Sequence, residues 1–126
     1  MGSCVTDERE AHVAVDPRYL EQLRAELDGD CVAVNGFVAT FVSMWPNRLQ
    51  RVTCATNDDN VGALVDSALS IRSSSAMVGA VRLNAVASDL EQLGRAGDLA
   101  GVRRLIPHLR TVGDRTIERL SQMLLS

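Results

Sequence analysis

The chain is expected to fold as an all-α domain, an antiparallel up-down-up-down four-helix bundle with a short additional N-terminal helix. Three observations predict it. Aromatic residues make up 3% of the 126 residues while Leu, Val and Ala are abundant, a balance that favours helices packed through aliphatic seams over strands rich in aromatic and β-branched side chains. Four long segments carry apolar residues at helical period. The links between them are short, and long amphipathic helices so joined pack most simply as antiparallel neighbours. The length suits one domain and is too short for two. Residues 1–14 are polar and without helical period, and read as a flexible tail; residues 15–126 read as the helical domain.

Asp16-Pro17 opens the short first helix, aspartate at the N-cap and proline at the first helical position, where an amide would have no partner. Leu20, Leu23 and Leu27 give it a narrow apolar stripe, and Asp28-Gly29 ends it. A long helix is expected over about 30–53, with Val34, Phe37, Val38, Phe41, Val42, Trp45, Leu49 and Val52 inward. Pro46 should bend it near Val42 to Trp45 without dividing it. After a polar link over 55–59 and a helix over about 60–78, a further helix over about 80–95 turns Leu83, Val86, Ala87, Leu90 and Leu93 inward. Gly94 and Gly97 bracket a tight turn, and Asp98 can cap the last helix. That helix carries Leu99, Val102, Leu105, Ile106, Leu109, Val112, Thr116, Leu120 and Leu124 inward, with Pro107 and Gly113 weakening it locally.

The helix over 60–78 is the most informative stretch. Asn60 suits its N-cap and Gly79 its C-terminal stop. Leu64, Ala68, Ile71, Ser75 and Val78 form its apolar seam at i, i+4, i+7, i+11 and i+14. A second row, Val65, Leu69, Arg72 and Ala76, lies at the edge of that seam or outside it. The small Ser73, Ser74 and Ser75 leave the nearby backbone thinly covered, so a partner can approach closely.

The run from Ala68 to Ala80, ALSIRSSSAMVGA, resembles the signature helix of histidine-containing phosphotransfer (HPt) domains, commonly A-H-x-L-K-G-[SA]-[SA]-A-x-x-G-A. The alanine, the aliphatic residue, the basic residue, the serines and the terminal Gly-Ala match; Leu69 stands where the family carries its phospho-accepting histidine, and Ser73 replaces a glycine. The stretches VDPRYLEQLRAELDGD, FVSMWPNRLQRV and LEQLGRAGDLAGVRRLIPHL are similar in spacing to other HPt helices, so the likeness covers about residues 15 to 120.

The resemblance implies a protein of two-component phosphorelay signal transduction. In the family the imidazole accepts a phosphoryl group from a receiver-domain aspartate or a kinase, and the basic residue helps neutralise its oxygens. Arg72 can still supply that charge, but Leu69 has no lone pair to offer. No catalytic residue is therefore expected at the usual position. The leading expectation is a pseudo-HPt that docks a response-regulator receiver domain or a histidine kinase through Val65, Leu69, Arg72, Ser73 and Ala76. A leucine at position 69 can serve docking, or the protein's own core can have widened to include it. The alternatives are an active phosphotransfer protein with a displaced acceptor, for which His108 is the candidate, and a helical interaction or dimerisation module outside the phosphorelay. His12 falls in the tail, outside the matching region.

Several classes are excluded. A net charge of −3 and the lack of an Arg-dense run argue against a nucleic-acid binder. Cys4, Cys31 and Cys54 fit neither a disulfide framework nor a metal-ligand spacing, so no metal and no cofactor are expected and a reducing cytoplasm is the simplest setting. No stretch approaches the roughly 20 apolar residues of a membrane span, and the start MGSCVTDERE lacks a signal-peptide core. That start matches the loose myristoylation pattern. The composition speaks against it: all 13 basic residues are arginine, as GC-rich bacterial coding would give. The expected protein is a monomer or weak homodimer whose partners are proteins.

Overall fold

The computed structural model describes residues 15, 16, 18, 25 and 31–125. Four helices follow one another: α1 (Cys31–Asn57), α2 (Val61–Met77), α3 (Val81–Arg95) and α4 (Leu99–Leu125). No strand occurs among the described residues. α1 and α3 each pack on both α2 and α4, while α1 with α3 and α2 with α4 stand diagonally, their backbones farther apart. This ring of neighbours around one core is a four-helix bundle, and the links 58–60, 78–80 and 96–98 are of the length that joins antiparallel helices. The expected tail over 1–14 and most of the short helix over 16–29, with Leu20, Leu23 and Leu27, lie outside the described residues. Asp16 Oδ1 accepts from the Arg18 amide at 3.0 Å. No helix among the described residues is long and apolar enough to cross a membrane.

The expected inner faces meet in one core. Leu64, Ala68, Ile71, Ser75 and Val78 are all buried, joined by Val52 from α1, Leu83 and Leu90 from α3, and Val102, Leu109 and Leu120 from α4. Ser75 is on that seam for its size, since its buried hydroxyl has no hydrogen-bond partner, a loss of order 1–3 kcal/mol. Trp45 sets the α1–α4 contact. Its ring lies against the backbone at Gly113, where a Cβ would fall 1.8 Å from Cζ2, and its Nε1 donates to Asp114 Oδ1 at 3.1 Å. Glycine in α4 thus makes room for the indole. α1 runs unbroken through Pro46 and α4 through Pro107; both prolines are exposed.

α1 does not end near Thr53 but continues to Asn57, so most of the expected link over 55–59 is helical. Ala55 and Thr56 are buried against the core, and Thr56 Oγ1 donates to the Val52 carbonyl at 2.8 Å. Packing has overridden the polar composition. The three helix ends at the links share one design, the Schellman motif. At α2 the Ala80 amide donates to Ser75 O and the Gly79 amide to Ala76 O; at α3 the Asp98 amide donates to Leu93 O and the Gly97 amide to Gly94 O. Gly79 and Gly97 each take φ of 72° to do this, and at the end of α1 Asp59 takes φ of 51° in the same role. α2 then starts on Asn60, whose Oδ1 accepts from the Ala63 amide, and α4 on Asp98, whose Oδ1 accepts from the Gly101 amide.

Candidate functional site

With its seam turned inward, α2 leaves the row expected to meet a partner on its outer side. Leu69 is half-buried and stands outside the fully buried core, so widening of the core does not account for it. Val65 is also half-buried, and leans on α3: a Cβ at Gly94 would lie 3.2 Å from Val65 Cγ2. Part of Val65 is therefore committed to the α2–α3 contact. Arg72, Ser73 and Ala76 are exposed. One residue that sequence reasoning missed joins them. Met77 is 47% exposed and continues Leu69 and Ser73 at four-residue steps, so two apolar side chains flank the serine along one helix face.

The Arg72 cation is not free on this face. Its Nη1 donates to Glu91 Oε1 at 2.6 Å, while Glu91 Oε2 accepts from Arg95 Nε at 2.7 Å. Asn84 Nδ2 donates to the Arg72 carbonyl at 2.8 Å, fastening the backbone of α2 to α3 at the same level. Glu91 is thus shared by two guanidinium groups, with a side chain 12% accessible against 46% for Arg72. The i,i+4 spacing of Glu91 and Arg95 was readable as a helix-surface pair. Nothing in the sequence alone brings Arg72, 19 residues earlier, to the same carboxylate.

Hydrogen bonds from Arg95, and next from Arg72, hold the Glu91 carboxyl below the usual glutamate range, against the opposing effect of its burial. A carboxylate whose pKa is lowered by folding stabilises the fold above its unfolded value, near 4.3, and that contribution is lost as pH falls through the folded value. The melting temperature of wild type should therefore exceed that of Glu91→Gln at pH 7, and the gap should close as the pH is taken below about 4. A gap that persists in acid would show that the pair does not act through charge.

His108 is exposed on α4, the helix diagonal to α2. The structure does not bring it together with Leu69, Arg72 or Ser73. His12 lies outside the described residues. Cys54 is an exposed free thiol, and no cluster of metal-ligating side chains occurs among the described residues.

A family model describing the Hpt domain matches residues 36–124, from early α1 to the end of α4. The chain belongs to the Hpt domain family. Its Hpt fold is similar to the crystal structure of histidine-containing phosphotransfer protein B (HptB) from Pseudomonas aeruginosa PAO1, with a TM-score of 0.80 at 24% identity over 89% of this chain and 95% of that one. No curated protein matches the chain. It is an HPt-like protein of phosphorelay signalling, a family whose partners are histidine kinases and response regulators. In the Hpt frame the helix of interest is α2, and the signature lies wholly on it and on the Schellman turn that ends it.

Proposed function

We propose that this Hpt domain is a pseudo-HPt: it docks a response-regulator receiver domain, or a histidine kinase, through Val65, Leu69, Arg72, Ser73 and Ala76, and carries no phosphoryl group at the usual position. The observation that supports this most is Leu69. It occupies the acceptor position of the signature, half-wet on an exposed face, where a leucine has no nucleophilic atom to offer. On docking it would lose its remaining contact with water, a gain of about 1 kcal/mol for a partly buried leucine. The Arg72–Glu91–Arg95 group supplies a polar rim beside it. Such a protein, working as a monomer or weak homodimer in a bacterial cytoplasm, sequesters a receiver or competes with an active phosphotransfer partner.

The test uses a phosphorylated receiver domain that binds the protein. Wild type should acquire no acid-labile phosphoryl label; label that vanishes on His108→Ala would instead establish a displaced acceptor. Leu69→Asp should weaken receiver binding tenfold or more, because desolvating a carboxylate without a partner costs well over the roughly 1.4 kcal/mol that a factor of ten represents. Its melting temperature should stay within a few degrees of wild type, because a half-exposed site leaves the charge in water in the free protein. Unchanged binding by Leu69→Asp would remove Leu69 from the interface.

A further inference from the structure

On the opposite shoulder of α2 from Arg72, facing α1, lies a polar cluster that the docking surface does not use. Arg48 and Arg51 stand one turn apart on α1, and Ser67 and Ser70 one turn apart on α2. With Asp66 they line a cleft of about 110 Å³. Arg48 is its unusual member. Its Nε and Nη1 are buried and have no hydrogen-bond partner, and Nη2 reaches only the Met44 sulfur, at 3.8 Å, a weak acceptor. Neither Arg48 nor Arg51 forms an ion pair among the described residues, although Asp66 lines the same cleft.

Buried donors in native proteins are almost always paired, and those that are not call for an explanation. Here the guanidinium is held in place: its carbon sits 5.8 Å from the centre of the Phe41 ring, within cation–π range. Burial, and then the charge of Arg51, lower the Arg48 pKa, so the cation is under strain that a counter-ion would relieve. The chemistry that matches a guanidinium with unpaired donors on two of its edges is an oxyanion. Arg51 adds a second positive charge, and the two serine hydroxyls can each donate without adding any.

We propose that the α1–α2 cleft binds an oxyanion, a carboxylate or a phosphate, seated on Arg48 with Arg51, Ser67 and Ser70 as further donors. Asp66 limits the site: with two arginines and one carboxylate the lining carries a single net positive charge, so it suits a singly charged ion better than a dianion. The site stands independently of the docking reading, since none of its side chains belongs to the Val65–Leu69–Arg72 row.

The experiment is an NMR titration of the full chain, following the Arg48 Nε–Hε resonance and the amides of Ser67 and Ser70. Sodium phosphate and sodium acetate are added in separate arms against sodium chloride at constant ionic strength. Saturable shifts with phosphate alone identify a phosphate site, and with acetate alone a carboxylate site such as a partner's acidic side chain would fill. Saturation with both identifies a general oxyanion site. Arg48→Met keeps the apolar stem, should melt no lower than wild type, and should abolish the shifts. Ser70→Ala should weaken binding by about tenfold or more, the worth of one hydrogen bond to a charged group, and Asp66→Asn should tighten it. Shifts that match those in chloride, or that survive in Arg48→Met, overturn the proposal. If Arg48→Met fails to fold, undiminished affinity in both Ser70→Ala and Arg51→Gln does so.

Discussion

Gly113→Ala is expected to destabilise the bundle, although alanine is the better helix former by about 1 kcal/mol. The added Cβ would stand 1.8 Å from Trp45 Cζ2 and 2.4 Å from both Cε2 and Cη2. The indole is no flexible end that swings aside: it is 4% exposed and its Nε1 is tied to Asp114 on the residue that follows. Either the ring leaves or α1 and α4 part, and overpacking of this kind costs about 1–3 kcal/mol or more with the hydrogen bond lost besides. A net loss of about 2 kcal/mol is therefore expected from chemical denaturation. Trp45→Ala should cost about 3–5 kcal/mol, as large-to-small changes at buried aromatics do. The double variant should be less destabilised than the sum of the two, because without the indole the alanine at 113 has room. Strict additivity would mean that the two residues do not touch.

The second large effect is a gain of chemistry. Leu69→His places an imidazole on a face where the side chain is half-exposed, so a receiver can reach its ring nitrogen. Ser73→Gly, four residues on, clears the adjoining surface. Phosphoryl transfer from a receiver should then become detectable where wild type shows none. The structure adds a condition that the signature does not contain. Arg72 and Arg95 both spend their charge on Glu91, whose carboxylate also repels an incoming phosphoryl group. Glu91→Gln in the Leu69→His background should free both guanidinium groups and raise the transfer rate by tenfold or more, the scale of one charge interaction of about 1.4 kcal/mol. If the combined variant folds and binds its receiver yet acquires no acid-labile label, more than the histidine has been lost from this face.

Much of the fold was legible because it rests on local periodicity. The five seam positions of α2 could be read from their spacing and are all buried, and Asn60 and Asp98 advertise their caps by residue type. The end of α1 was not legible, since Asp59 adopts the left-handed turn that glycine marks at positions 79 and 97. The site divides in the same way. That Leu69, Ser73 and Ala76 share an outer face follows from helical geometry. That Arg72 is engaged by Glu91, that Val65 leans on Gly94, and that Arg48 is left unpaired all depend on how neighbouring helices are set against one another, which no single helix encodes.

Gly79 has a second part to play beyond closing α2. Its carbonyl accepts from the Asp16 amide at 2.8 Å, and Val15 beside that amide is 2% exposed. The chain ahead of the bundle is thus latched to the residue that ends the signature helix. The attachment includes this hydrogen bond and this buried valine, and it fixes the chain at Asp16 to the turn that ends α2. A change at Asp16 bears directly on the C-terminal end of α2, two residues beyond Met77. The face that carries Leu69 is in this sense joined to Val15 and Asp16 through the Gly79 carbonyl.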